Sequence, residues 1–389
     1  MRTEEKDSMI IVYLEGKITS SNSDELAQSL EETLSAAGNE GLILDASDLE
    51  YISSAGLRVI MRTSKKIKTP TVVQNVSPEV YEIFEMTGFT SFLDVQKKLN
   101  TISIDGCELI GEGAFGKVYR LDDDTIVKVY EGEDSLPLIQ KERQRARQAF
   151  IKGIPTAISY DIVRVGSGYG SVFEMIKART LGEIMIETDD IDGYIPRYVE
   201  LIKSLHEVEV PLGEIPQSSE EYLTCIDELG NVLPEDLASG LRNLLSAMPD
   251  DAHIVHGDIQ IKNVMTADDE FIVIDMETVS CGAPVFDLAG LFMTYMAFNE
   301  DEPGNCLRFL GLDDAKCTRL WKGVLNCYYE GLSEEALRKQ EEKIMLLGYL
   351  RFLDRVATHN MTHPDLKEIR IRHSIEHIRE LLSRVDQLS

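Results

Sequence analysis

The chain predicts two modules in series: an α/β domain over residues 1–98, then a two-lobed α+β domain over residues 102–389. The second module reads as a β-rich first lobe (about 102–176) followed by a mostly helical second lobe (about 177–389). Three observations point this way. Strand and helix patterns alternate through the first hundred residues, as expected of a small mixed sheet. A glycine-rich hairpin follows between residues 111 and 130. From residue 191 onward, apolar positions recur at helical spacing.

In the first module, Met9 to Leu14 reads as a strand, Ser23 to Ala36 as an amphipathic helix and Gly41 to Asp45 as a buried strand. A helix starts near Ser54 and runs through Met61. Strand Thr71 to Asn75 and helix Pro78 to Met86 follow, with Ser77 as N-cap and Pro78 at the first helical position. The apolar pattern breaks at Lys97-Lys98-Leu99-Asn100, a short join near Gln96 to Thr101 without a Gly/Ser-rich stretch.

The second module opens with Gly111-Glu112-Gly113-Ala114-Phe115-Gly116-Lys117-Val118, a full G-x-G-x-x-G-x-V match. Glycines there let backbone N–H groups approach phosphate oxygens without a Cβ in the way. A similar glycine string in dinucleotide-binding folds sits between a strand and a helix. Here Val118 to Leu121, the turn Asp122 to Asp124 and Thr125 to Tyr130 read as a hairpin, and its second strand delivers Lys128. Further on stands His256-Gly257-Asp258-Ile259-Gln260-Ile261-Lys262-Asn263, then Ile274-Asp275-Met276-Glu277. Phosphoryl transfer needs a carboxylate beside the attacking hydroxyl and hard oxygen ligands for Mg²⁺, and these two segments supply both. Gln260 and Lys262 share the loop and offer contacts to phosphate. Helices are expected at Ile191 to Glu207, Ser219 to Leu229, Leu233 to Ser246, Phe286 to Phe298 and Asp313 to Glu330. A tail from Glu334 to Leu388 is broken near Pro364.

From about residue 102 onward the chain resembles kinase-fold phosphotransferases of the aminoglycoside phosphotransferase and choline kinase type, with H-G-D-x-x-x-x-N as the main motif. The resemblance implies ATP and Mg²⁺ as cofactors, with Asp258 as catalytic base and Asn263 and Asp275 as Mg²⁺ ligands. Gly111, Gly113, Gly116, Val118 and Lys128 would hold the nucleotide. A helix glutamate would pair with Lys128: Glu142 is the leading choice, with Glu131 and Glu133 as alternatives by spacing. Phe173-Glu174-Met175-Ile176 resembles the connector whose backbone meets the adenine, so Glu174 and Met175 join the nucleotide site. His256 would brace the catalytic loop, and Asp287 in Phe286-Asp287-Leu288-Ala289 would tie that loop to a helix. Met276-Glu277 replaces Phe-Gly after Asp275, and Asp287 follows only twelve positions later. That leaves no room for the segment on which protein kinases dock peptides. The acceptor is accordingly expected to be a small-molecule hydroxyl or a special protein serine. The rival reading is a signalling protein whose kinase fold binds nucleotide with little turnover.

Residues 8 to 96, chiefly Leu42 to Leu57 and Val80 to Phe89, resemble the STAS domain of anti-sigma-factor antagonists. The resemblance places a phosphorylatable serine at Ser54, where a helix N-terminus favours phosphate; Ser53 stands where the family's best-known members have Asp. A plain capping role for Ser53 or Ser54 remains the alternative, and the module implies a protein partner or a regulatory role.

With 389 residues, 43% of them hydrophobic, the chain is long enough for two or three cores. The net charge of −29 lies mostly beyond residue 100 and argues against nucleic acid or an anionic membrane as partner. The charged start Met1 to Ser8 lacks an apolar signal core, no apolar run approaches a membrane span, and the six cysteines form no Cys-x-x-Cys pair. A cytoplasmic protein with reduced thiols is expected. His359, His363, His373 and His377 are scattered along the charged tail, which does not suggest a metal site.

Overall fold

A computed structural model describes all residues except Met1, Asp7, Ser8, 37–40, 68–70, Ala114, Phe115, Glu131, Glu133, Asp134, Asp268, Asp269 and Ser389. The tip of the glycine loop at Ala114-Phe115 and the alternative glutamates Glu131 and Glu133 therefore lie outside the described residues. Two compact units are present. One comprises residues up to Ser103 together with Ile162–Gly166, and the other Ile104–Asp161 and Ser167 onward.

The first unit runs β1 (Thr3–Lys6), β2 (Met9–Ile18), α1 (Ser23–Ala36), β3 (Gly41–Ile52), α2 (Ser54–Ser64), β4 (Val72–Val76), α3 (Pro78–Met86), β5 (Asp94–Lys97) and β6 (Asn100–Ile102). Strands β1 to β5 form one sheet in chain order. β1 is antiparallel to β2, and β2 to β5 are parallel. The parallel strands are rich in β-branched and aliphatic residues, and Val12, Leu42, Leu44 and Val73 are fully buried, as expected when helices cover a parallel sheet. Helices start where short polar side chains cap them: Ser53 accepts from Gly56 N, and Ser77 accepts from Val80 N with Pro78 in the first turn. Two features differ from the sequence expectation. The charged start forms β1, because an edge strand needs only backbone pairing on one side. The expected join at 96–101 contains the ends of two short strands, β5 and β6.

The second unit begins with β7 (Glu108–Gly113), β8 (Gly116–Arg120), β9 (Thr125–Tyr130) and α4 (Leu136–Ile151). β10 (Asp161–Val165), which from Ile162 on belongs to the first unit, runs parallel to β6 of that unit, Val163 opposite Asn100. β11 (Gly168–Glu174) pairs antiparallel with β9, giving the order β11-β9-β8-β7. β12 (Arg179–Thr180) leads into α5 (Leu181–Thr188), which starts with a reciprocal Thr180–Glu183 capping box. Next come α6 (Ile195–His206), α7 (Ser218–Leu229), α8 (Glu235–Ser246), β13 (Ile254–Val255), β14 (Val264–Ala267), β15 (Glu270–Val273) and β16 (Ser280–Cys281). α9 (Val285–Phe292) continues through a π-helical stretch, Met293–Ala297, into α10 (Phe298–Glu300). The unit ends with α11 (Asn305–Leu310), α12 (Asp314–Tyr328), α13 (Glu334–Ala357) and α14 (Pro364–Leu382). The break before α14 falls at Pro364, which takes the first turn of the new helix, where its missing N–H costs nothing.

One continuous core fills the helical part, with Tyr198, Leu241, Leu288, Tyr295, Trp321, Leu350 and Phe352 almost wholly inaccessible. Each such large side chain contributes on the order of 1.5–3 kcal/mol by leaving water. α9 is buried along its whole length, so it serves as the rigid post on which the loop after β13 is mounted. The chain thus folds into an α/β domain followed by an α+β domain with a β-rich part and a helical part.

Candidate active site

The loop after β13 is fixed from below by Asp287, a residue of α9 that is 1% exposed. Its Oδ2 accepts from His256 N at 2.9 Å and its Oδ1 from Gly257 N, while His206 Nε2 lies 2.9 Å from Oδ2. Burial works against the Asp287 charge, but the His206 bond, the two nearby imidazoles and the His256 amide hold its carboxyl below the usual range. His256 is wholly buried, with Nε2 donating to Ile274 O at 3.1 Å and Nδ1 accepting from Asp258 N at 3.2 Å. Tyr198 donates to Ile259 O, and Tyr295 from the π-helical stretch accepts from Ile261 N at 3.2 Å. The loop backbone is therefore satisfied from α6, α9 and the stretch that follows it.

Gly257 has φ +82°, and a Cβ there would stand 2.6 Å from Thr278 O. No side chain fits, which is the physical reason for glycine where protein kinases usually have Arg. An arginine arrives by another route: Arg351 of α13 donates to Gly257 O.

The polar ends converge above this frame. Asn263 Nδ2 donates to Asp258 O and Asp258 Oδ2, both at 2.9 Å, so the Asn263 carbonyl oxygen points its lone pairs elsewhere. Ile274 N donates to Asn263 O at 2.9 Å and brings the strand end that carries Asp275 beside it. Asp275 itself has φ +67°, a left-handed conformation uncommon outside glycine, asparagine and aspartate. Lys128 Nζ sits 2.6 Å from Asp275 Oδ1, 3.4 Å from Glu142 Oε1 and 3.5 Å from Glu277 Oε2. Tyr130 also donates to Glu142. Burial penalises the Lys128 ammonium, yet Asp275 and Glu142 outweigh it and push its pKa up. Burial likewise raises the pKa of Glu142 and, with the Asp275 charge, of Glu277. Three carboxylates around one ammonium leave unbalanced negative charge in a partly enclosed place.

In the glycine hairpin, Val118 lies opposite Lys128 and Gly113 opposite Gly116. A Cβ on Gly116 would fall 2.5 Å from Val129 O, so close strand approach demands the glycine. A Cβ on Gly111 would meet only ordinary contacts with Val118. Glu174 ends β11, but the Met175 amide is already used, donating to Asp124 O at 2.7 Å. Met175 therefore has its carbonyl and side chain, not its N–H, to offer a nucleotide.

Glu277 and Arg145 are residues that sequence reasoning did not single out for the site. The signal for Glu277 was its place two residues after Asp275; Arg145, whose guanidinium donates to Glu277 O and Glu221 Oε1, carried none, because these partners come from distant elements. Lys262 Nζ rests 4.5 Å above the Phe309 ring, and Gln260 is 7% exposed with Oε1 unpartnered among the described residues. The four tail histidines each face a carboxylate: His359 with Asp354, His363 with Asp365, His373 with Asp301 and His377 with Glu300. Glu228 joins the first pair, with ligand atoms within 4.8 Å of one another, although Asp354 already accepts from Thr358 there. In the first unit, Ser53 is the N-cap, and Ser54 stands exposed at the first position of α2. No helix among the described residues is long and apolar enough to cross a membrane.

Comparison with known proteins matches residues 1–102 to the STAS domain model and residues 106–316 to the phosphotransferase enzyme family model. The first module is 36% identical over 92 residues to the putative anti-sigma factor antagonist BtrV of Bordetella bronchiseptica, covering 23% of this chain and 78% of that protein. Among solved structures, ADP-bound aminoglycoside phosphotransferase APH(2'')-Ib superposes with a TM-score of 0.49 at 14% identity, covering 77% of this chain and 98% of that one. A choline/ethanolamine kinase family protein from Mesorhizobium loti superposes with a TM-score of 0.47 at 17% identity, covering 72% and 89%. The chain belongs to the phosphotransferase enzyme family and carries an N-terminal STAS domain of the anti-sigma-factor-antagonist kind.

Proposed function

We propose that the second domain transfers the γ-phosphoryl group of ATP to a hydroxyl acceptor with the help of Mg²⁺, and that the STAS domain regulates it or docks a partner. The observation that carries this reading is the Lys128–Glu142–Asp275–Glu277 cluster standing beside the Asp258–Asn263 pair. The donor set suits a hard divalent cation: carboxylates of Asp275 and Glu277 and the outward carbonyl oxygen of Asn263 are oxygen ligands, and the excess negative charge calls for a cation. Asp275, Glu277 and Asn263 would hold Mg²⁺, which would supply positive charge against the phosphates.

The chain's own residues have distinct tasks. Lys128, kept charged by its carboxylate neighbours, is placed to hold the α/β-phosphates, and Glu142 keeps the lysine extended. Backbone N–H groups of the hairpin between Gly111 and Gly116, with Val118 behind them, would cover the phosphates and the base. Glu174 and Met175 carbonyls would face the adenine. Asp258, oriented by Asn263, would accept the proton of the attacking hydroxyl. The short span from Asp275 to Asp287 favours a small molecule or one special protein serine over a general peptide.

An acceptor screen with purified protein, read by nucleotide turnover and mass spectrometry, tests this. Asp258→Asn keeps the shape and removes the base, so turnover should fall by roughly 10² to 10⁴ while nucleotide binding persists. Retained turnover in that variant would remove Asp258 from the role of base. The exposed Ser54, at the N-terminal end of α2, is our proposed modification position in the STAS domain. Mapping phosphosites after incubation with Mg²⁺-ATP, in wild type and in Asp258→Asn, tests whether this chain modifies itself there.

A further inference from the structure

The short link from Asp275 to Asp287 raises a mechanical question. Protein kinases use a long ordered segment at this point to hold the glutamate helix in its working position. Here α4 carries Glu142 without such a segment, so another contact has to fix the helix.

Arg145 is that contact. It lies three residues after Glu142, on the same face of α4. Its side chain is 15% exposed, and its guanidinium is forked between two elements of the same unit. Nη1 donates to the backbone carbonyl oxygen of Glu277, and Nη2 donates to Glu221 Oε1 of α7 at 3.0 Å. Glu277 in turn places its own carboxylate 3.5 Å from Lys128. One planar group therefore joins the glutamate helix, the turn after Asp275 and a helix of the α-helical part. A movement of α4 would break the Lys128–Glu142 pair and release the Glu277 backbone together.

We infer that Arg145 is a positioning residue, anchored by Glu221 of α7, that keeps α4 and the Asp275–Glu277 turn assembled in place of a peptide-docking segment. The inference rests on the phosphotransfer reading and deepens it, since it assigns constitutive assembly of the site to this chain. A simple exposed ion pair between Arg145 and Glu221 would contribute little, because Glu221 is 41% exposed and solvent screens it. The second prong, to a backbone carbonyl, gives the arrangement its geometry. A forked guanidinium can satisfy both partners at once, whereas an ammonium on a flexible stem is not pre-organised to do so.

The test uses the whole 389-residue chain with Mg²⁺-ATP as probe and water as acceptor, together with hydrogen exchange. Misplacing reacting groups by about an ångström costs on the order of 10² in rate, so Arg145→Met should lower kcat for ATP hydrolysis about 10- to 100-fold, with KM for ATP much less affected. Arg145→Lys and Glu221→Gln, which each keep one prong, should fall between it and wild type. In Arg145→Met, amide exchange should rise within 136–151 and 276–278 and stay unchanged in α12 and α13. Unchanged kcat and unchanged exchange would overturn the proposal. A uniform rise in exchange, with activity tracking the folded fraction, would reduce Arg145 to a merely structural role. Lys128→Met separates the two levels: if it hydrolyses ATP like wild type, the phosphotransfer reading fails, while the exchange pattern still judges Arg145.

Discussion

Asp287→Asn should loosen the loop after β13 far more than its near-identical shape suggests. The carboxylate accepts from two backbone amides and faces His206, all out of contact with water. An asparagine side chain has one acceptor oxygen and one N–H₂ group, so at least one of these donors must face another donor. A buried donor left without a partner costs about 1–3 kcal/mol, and breaking a buried charged contact reaches about 3–5 kcal/mol. Taking roughly 3 kcal/mol as the local cost, opening of the loop becomes about 10²-fold more frequent. Hydrogen exchange of peptides spanning 254–263 reads this directly, and the His256 and Gly257 amides should lose protection by about that factor. Because the Asp287 pKa is held below its ordinary value, the stabilisation is present above about pH 4 and is lost as pH falls through the lower folded value. The variant should lack that acid-side loss. Exchange within about threefold of wild type at neutral pH would refute the reasoning, since no compensating acceptor exists in the described contacts.

Gly257→Ala should cost at least about 1–2 kcal/mol from its left-handed φ alone, with more from the approach to Thr278 O, and its catalytic rate should fall more than its melting temperature implies. An alanine variant with wild-type kcat would contradict the tight seat described for the loop. Asp275→Ala should weaken Mg²⁺ and nucleotide together in a titration of nucleotide binding against Mg²⁺; superimposable curves would argue against a ligand role. The His377 pKa is raised by its hydrogen bond to Glu300, so the pair's stabilisation is complete below about pH 6.5 and fades as pH rises through the higher folded value. Thermal melts from pH 6 to 9 should show a steeper decline for wild type than for His377→Gln; parallel curves would count against the pair.

What the sequence by itself determined is where the candidate groups that lie in continuous stretches stand. The Asp258 to Asn263 loop, Asp275, the glycine hairpin and Lys128 are each set by local spacing, because the motif must place its groups on one turn or strand end. Helices such as α1 and α3 were legible to their ends, since Ser23, Ser77 and Pro78 stand at or just before their first turns. β1 and the short strands β5 and β6 were not, because edge strands are held by backbone pairing that side-chain patterns do not record. The π-helical stretch Met293–Ala297 reads as plain helix from its apolar spacing, and only the Tyr295 contact to the Ile261 amide in the loop after β13 reveals its use. The tertiary structure alone showed that Glu142 and Glu277 meet Lys128, that His206 and Asp287 pair beneath the loop, and that Arg145 and Arg351 reach backbone carbonyls far away in the chain. Those contacts bridge tens to hundreds of residues, and their geometry depends on how helices pack around a shared core. No periodicity along the chain encodes such a distance.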